Sequence, residues 1–172
     1  MQKLVAAAAL VCVAAATAGA QGNAATAVYR YRAAIAALLL LRPGMIAAEA
    51  GSTPGVIGPE MTPLVGPTGR VINATVDRRT GALDLEPASV DAIALIAMFG
   101  VVERHKDLID RAAGALKPGG VLLVVDVPQE NDGKRVVGLD AEDVVKLATA
   151  AGFKREAESG IVPGHYAIRF RK

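Results

Sequence analysis

Two continuous apolar runs frame the middle of the chain. Residues 91–100 read DAIALIAMFG and residues 121–127 read VLLVVDV. A strand with one wet face alternates apolar and polar positions, whereas a run that stays apolar is covered on both faces. Between the runs lies a helical pattern. Leu108, Ile109, Ala112, Ala113 and Leu116 share one side, and Glu103, Arg104, Lys106, Asp107, Asp110 and Arg111 fall mostly on the other. Pro118 stops this helix, and Gly119-Gly120 turns into the next strand. Strand, helix, buried strand is a βαβ unit, so the pattern predicts a parallel sheet.

Residues 24–41, rich in alanine and leucine, predict a helix that Arg42-Pro43-Gly44 ends. A short apolar run, 45–48, leads to Glu49 and the turn Gly51-Ser52-Thr53-Pro54-Gly55. The helix expected at 56–65 contains Pro59 and Pro63, and an interior proline removes a hydrogen bond, so a broken or very short helix is expected. Residues 71–76 are β-branched and predict a strand. Only eleven residues then separate Asp77 from Ser89, too few for a parallel crossover, so a helix is missing there. Residues 128–137 are turn-rich and read as a surface loop. Asp140 stands as N-cap, with Asp143 at the third helical position, before a helix that Gly152 ends. Residues 153–159 and 165–171 predict an antiparallel hairpin at the edge of the sheet, blunted by Arg169, Arg171 and Lys172.

Composition changes this picture in two places. The net charge of +2 gives no long-range steering toward nucleic acid, and the absence of tryptophan argues against a stacking platform for bases. The N-terminus reads as an export signal. Lys3 precedes an apolar run over 4–16, and Ala18-Gly19-Ala20 forms a small-x-small cleavage site before Gln21. That run is shorter than the about 20 residues of a membrane-spanning helix. A periplasmic or secreted protein with no stable membrane insertion after cleavage is therefore expected. Cys12 lies within the signal, so the mature chain has no cysteine nucleophile, disulfide or thiolate metal site. His105 and His165 lack the spacing of a metal pair. The expected divisions are 1–20 signal peptide, 21–42 N-terminal helix and 43–172 α/β domain.

The run AlaLeuLysProGlyGly followed by VLLVVDV, with AlaSerValAspAla at 88–92, resembles the central segment of class I S-adenosylmethionine-dependent methyltransferases. Glu49-Ala50-Gly51-Ser52-Thr53-Pro54-Gly55 resembles that family's first motif, with Thr53 in place of the middle glycine. Gly66-Pro67-Thr68-Gly69-Arg70-Val71 resembles its link into the second strand. The resemblance spans 43–172 and is most similar to exported, uncharacterised methyltransferase-like proteins of bacteria. It implies an α/β, Rossmann-like methyltransferase fold, mostly parallel, with an antiparallel C-terminal hairpin and a shortened third-strand region.

What the resemblance implies for the site follows residue by residue. Glu49, Gly51, Thr53 and Gly55 would line S-adenosylmethionine. The ribose carboxylate falls by spacing at Thr75, with Asp77 the nearest acid, and Asp77 equally opens the turn with Arg78-Arg79-Thr80-Gly81. Asp84 would stand for the adenine contact. Asp126, at a strand end, is the candidate contact to a small-molecule acceptor near Phe99, Gly100 and Val101. Methyl transfer from a sulfonium needs alignment and desolvation more than acid–base groups, so no catalytic residue is assigned. His105 reads as solvated and His165 as structural. The alternative is a non-catalytic exported domain that keeps the fold without the cofactor site. A dinucleotide-binding reading is weaker, since the loop lacks that fingerprint's second and third glycines.

Overall fold

The computed structural model describes residues 26–131 and 136–172. The expected export signal at 1–20 lies outside the described residues. After a helical turn at 26–30, the chain runs through α1 (Arg32–Leu38), β1 (Ile46–Gly51), α2 (Gly58–Val65), β2 (Arg70–Asn73), β3 (Val90–Ile96), α3 (His105–Ala115) and β4 (Leu116–Asp126). It continues through the short pair β5 (Glu130–Asn131) and β6 (Val136–Val137), then α4 (Ala141–Ala150), β7 (Lys154–Ser159) and β8 (Tyr166–Arg171). One six-stranded sheet has the order β2-β1-β3-β4-β8-β7. Strands β2, β1, β3 and β4 are parallel, and β8 is antiparallel to both β4 and β7.

Both faces of the sheet are covered, as the unbroken apolar runs of β3 and β4 require. Alternate residues of these strands point to opposite sides. Ile93, Leu95, Leu122 and Val124 pack with Leu108, Ile109 and Ala112 of α3 and Val144 and Ala148 of α4. Ala92, Ala94, Leu123 and Val125 pack with Ile35 and Leu39 around α1 and Met61 and Val65 of α2. The N-terminal helix is therefore part of the domain's own core. Alanines in β1 and β3 let α2 approach closely on this second face.

Several expectations need correction. The helix with the interior proline does form, from Gly58 to Val65, and Pro63 sits inside it. It is short but unbroken; Pro59 lies in the first turn, where no backbone donor is needed. The strand expected at 71–76 ends at Asn73, and only an isolated antiparallel bridge, Val76 to Leu83, continues it. As expected, no helix follows, and residues 74–89 contribute no strand to the sheet either. The antiparallel strand β8 lies inside the sheet, and β7 is the edge. Arg169 and Arg171 accordingly do not blunt an edge; both donate to Glu156 on β7. Asp140 is the N-cap of α4 as expected, but its side chain makes no capping bond and instead accepts from the Gln129 N–H at 2.9 Å. The turn at Gly119 is absorbed into β4, which starts at Leu116 opposite Val90 and shifts register before Val121.

Candidate functional site

In this sheet the chain passes from β1 to β2 on one side and returns to β3 on the other side of β1. The order reverses between β1 and β3, and the crevice outside the carboxyl ends of those strands is where open α/β sheets bind ligands. The loop Gly51-Ser52-Thr53-Pro54-Gly55 leaves β1 at this crevice. It is tied to β3 by the Ser52 N–H, which donates to the Ile96 carbonyl at 3.0 Å. Gly51 has no room for a Cβ, which would stand 2.9 Å from the Thr53 carbonyl oxygen. Gly55 has φ +74°, a conformation that favours glycine, and a Cβ there would meet only the Asn73 side chain, at 3.7 Å. Thr53 is exposed on the loop.

Glu49 organises the loop from beneath. Its residue is 1% exposed. One carboxylate oxygen accepts from the Val56 N–H at 2.8 Å and the other from the Gly58 N–H at 2.7 Å, with Ile57 N–H shared at 3.2 Å. These are the free donors that open α2, so the buried carboxylate takes the place an anion would occupy at that helix start. Its strand register pairs it with Asn73 of β2. Asn73 is exposed, and its amide lies against Gly55 and Gly58. The sequence reading passed over it because it is uncharged; only the register with Glu49 brings it to the loop.

Asp77 and Asp84 lie on the span that follows β2. The Asp77 carboxylate accepts from the Arg79 and Thr80 N–H groups at 2.9 and 3.0 Å. The Thr80 N–H is the chief reason its pKa lies below the ordinary value. The turn it closes packs on the start of α3: the Glu103 N–H donates to the Arg78 carbonyl, and a Cβ on Gly81 would lie 2.7 Å from the Arg104 carbonyl oxygen. Asp84 is exposed on the same span, and Leu83 beside it is buried with α3. This span packs on the α3 face, whereas the glycine loop leads to α2 on the opposite face.

Asp126 ends β4 and is 2% exposed. Its carboxylate accepts from the Phe99 N–H at 2.8 Å and from its neighbour Val127 at 2.9 Å. Burial raises its pKa against the pull of these bonds and of His165. The Phe99 carbonyl contacts His105 Nε2 at 2.9 Å, and the two rings meet edge to face with centroids 5.4 Å apart. Asp126 and His105 thus grip the two peptide groups of Phe99 and fix the loop that follows β3. Ala97, where that loop begins, has φ +53°, an uncommon conformation for a residue with a side chain. His105 is half-buried in this grip rather than solvated. His165 contacts the Pro163 carbonyl through Nδ1, while its Nε2 is buried without a partner. A groove of about 790 Å³ lies beside these residues, lined by Pro128, Asp140, Lys146, His165 and Tyr166 among others.

No family model and no curated protein matches the chain. Solved structures do. A Burkholderia thailandensis 1,6-didemethyltoxoflavin-N1-methyltransferase, with 1,6-didemethyltoxoflavin and S-adenosylhomocysteine bound, superposes with a TM-score of 0.64 at 16% identity, covering 96% of this chain and 88% of that one. A SAM-dependent methyltransferase from Aquifex aeolicus gives 0.63 at 16% identity over 76% and 84%. The chain has the fold of the class I S-adenosylmethionine-dependent methyltransferases. The same fold is also found in the (4+2)-cyclase SpnF, with a TM-score of 0.60 at 15% identity over 84% of this chain and 80% of that one. Fold alone therefore does not fix the reaction.

At the carboxyl ends of β1 and β3 a glycine-bearing backbone lies open, shaped by the buried Glu49 carboxylate, and β2 offers the neutral side chain of Asn73 beside it. Asp77 and Asp84 are held in the span that packs against α3.

Proposed function

We propose that the chain binds S-adenosylmethionine at the Gly51–Gly55 loop and transfers a methyl group to a small-molecule acceptor. The observation that carries this reading is the position of the loop at the point where strand order reverses, bonded to β3 through Ser52 and Ile96. The cofactor supplies an electrophilic methyl on a good leaving group. The protein's part is then to align the acceptor and exclude water. Gly51, Thr53 and Gly55 would contact the cofactor, with Glu49 holding the loop in shape. Asp126 acts on the acceptor side by fixing the Phe99 loop rather than by touching the acceptor itself. The groove beside Tyr166 is the space an acceptor would use.

A second reading, a non-catalytic domain that retains the fold, is favoured by the missing third strand and by the placement of Asp77 and Asp84. Calorimetric titration with S-adenosylmethionine and S-adenosylhomocysteine separates the two. Saturable heat supports the methyltransferase reading, and none at millimolar ligand leaves the non-catalytic one. The apolar run at 4–16 and Ala18-Gly19-Ala20 support export to the periplasm. Expressed with its native N-terminus in a bacterium, the mature protein should begin at Gln21 in the periplasmic fraction.

A further inference from the structure

The start of β4 is out of step with β3. Val90 pairs with Leu116 and Ala92 with Val121, so Lys117, Pro118, Gly119 and Gly120 stand opposite Asp91 alone and bulge from the ladder. The bulge folds back tightly: a Cβ on Gly120 would stand 2.9 Å from the Lys117 carbonyl oxygen and 3.1 Å from that of Asp91. Between the bulge and the turn that joins α1 to β1 lies a cavity of about 240 Å³. It sits at the amino ends of β3 and β4, the edge of the sheet opposite the Gly51–Gly55 loop.

The cationic groups around this cavity are unequally committed. Lys117 Nζ donates to both Asp91 oxygens at 2.9 Å, and the Ile46 N–H donates to Asp91 Oδ2 at 2.8 Å. Asp91 is thereby balanced, and the ammonium keeps one N–H to offer. Arg171 is balanced by Glu156, which accepts from its Nε and Nη2, while its Nη1 donates to the Gly119 carbonyl and holds the wall in place. Arg42 also lines the cavity, but its guanidinium makes no hydrogen bond or ion pair among the described residues. One cation is therefore left without a counter-charge, a planar fork of donors near the remaining N–H of Lys117.

The rest of the lining is apolar, with Leu40, Met45 and Val121. Leu40 has φ +54°, an uncommon conformation for a residue with a side chain, and is 49% exposed. The turn after α1 thus holds a large apolar side chain at the cavity instead of in the core. A ligand lying on it would remove that surface from water.

We infer that this cavity binds a small amphipathic carboxylate, its anionic head on Arg42 and Lys117 and its short apolar tail on Leu40 and Met45. A carboxylate matches the guanidinium fork with two parallel bonds. Pockets for drug-sized ligands enclose roughly 300–1,000 Å³, so the ligand here is smaller than those. A free phosphate would leave the apolar wall wet. The site shares no residue with the Gly51–Gly55 loop, and the inference stands apart from the cofactor-binding reading.

The test is calorimetric titration of the full mature chain with octanoate, acetate and inorganic phosphate. Octanoate should bind saturably, and acetate and phosphate at least about tenfold more weakly, since neither covers the apolar wall. Arg42→Gln should weaken octanoate about tenfold, the loss of a charge-assisted pair. Leu40→Gly should weaken it severalfold while relaxing the backbone. Both side chains are exposed, so neither substitution removes a core contact. Acetate or phosphate binding as tightly as octanoate overturns the inference. Octanoate binding that neither substitution changes overturns it too, because the ligand then sits elsewhere. So does the absence of saturable heat at about 10 mM octanoate. Failure of S-adenosylhomocysteine to bind would remove the methyltransferase reading and leave this site untouched.

Discussion

At Glu49 both carboxylate oxygens are committed to the backbone donors that open α2, with the residue 1% exposed. Glu49→Gln would set an amide NH₂ against one of those N–H groups. The expected result is a loss of stability of about 1–3 kcal/mol, the cost of a buried donor left without an acceptor. Urea unfolding measures it, and a variant as stable as the native protein would show that the loop does not depend on this carboxylate. Asp126 has the opposite signature. Burial raises its pKa above the ordinary 3.8. The folded protein then holds the proton more tightly than the unfolded chain. Its contribution to stability is full below 3.8 and is lost as pH rises through the raised folded value. The stability of the native protein should therefore fall relative to Asp126→Asn across that window; parallel curves would remove the claim. The sequence identified Glu49 and Asp126 as acids at strand ends, because a carboxylate beside an apolar run is visible in the pattern. It did not reveal Asn73, whose importance comes only from a neighbour in another strand.

Among the elements, β3, α3, β4 and the C-terminal hairpin were legible because each carries an unbroken or periodic apolar pattern of its own. The span 74–89 was harder to read. Its shortness excluded a crossover helix, but nothing local announced that it would leave the sheet after Asn73 and pack against α3. Gly81 is the decisive contact. It has φ +71°, and a Cβ would lie 2.7 Å from the Arg104 carbonyl and 2.9 Å from the Leu108 nitrogen. Neither backbone group can yield without moving the first turn of α3. Gly81→Ala should cost on the order of 2–4 kcal/mol, combining the strained backbone with the clash. Thermal or urea unfolding checks this. A loss of only a few tenths of a kcal/mol would mean that the turn stands away from α3 in solution. Pro63 offers the converse lesson: propensity argued against a helix, yet Met61 and Val65 on either side of it bury into the second face and hold the two turns together.

For the molecule as a whole, the question is whether the residues that replace a third strand belong to the cooperative core or lie loosely on it. The sheet stops at β2, so this span gains no ladder of its own beyond the single bridge from Val76 to Leu83. Its attachment to α3 comes from the Glu103 N–H bond to the Arg78 carbonyl, the close approach of Gly81 and the packing of side chains. Leu83 is 9% exposed and joins the cluster that contains Leu108, Ile109 and Phe99. It therefore links the span to α3 and to the loop gripped by Asp126. Leu83→Ala should cost about 2 kcal/mol, the low end for a buried leucine because the site borders solvent and can partly close. The distribution of the loss matters more than its size. If the span is pinned chiefly by this side chain, amide hydrogen exchange at 75–86 should accelerate well beyond the change at β4 and β8, whose ladders do not involve it. An equal rise everywhere would place the span within the global unfolding unit. No rise at 75–86 would show that the turn closed by Asp77 and Gly81 holds it without Leu83.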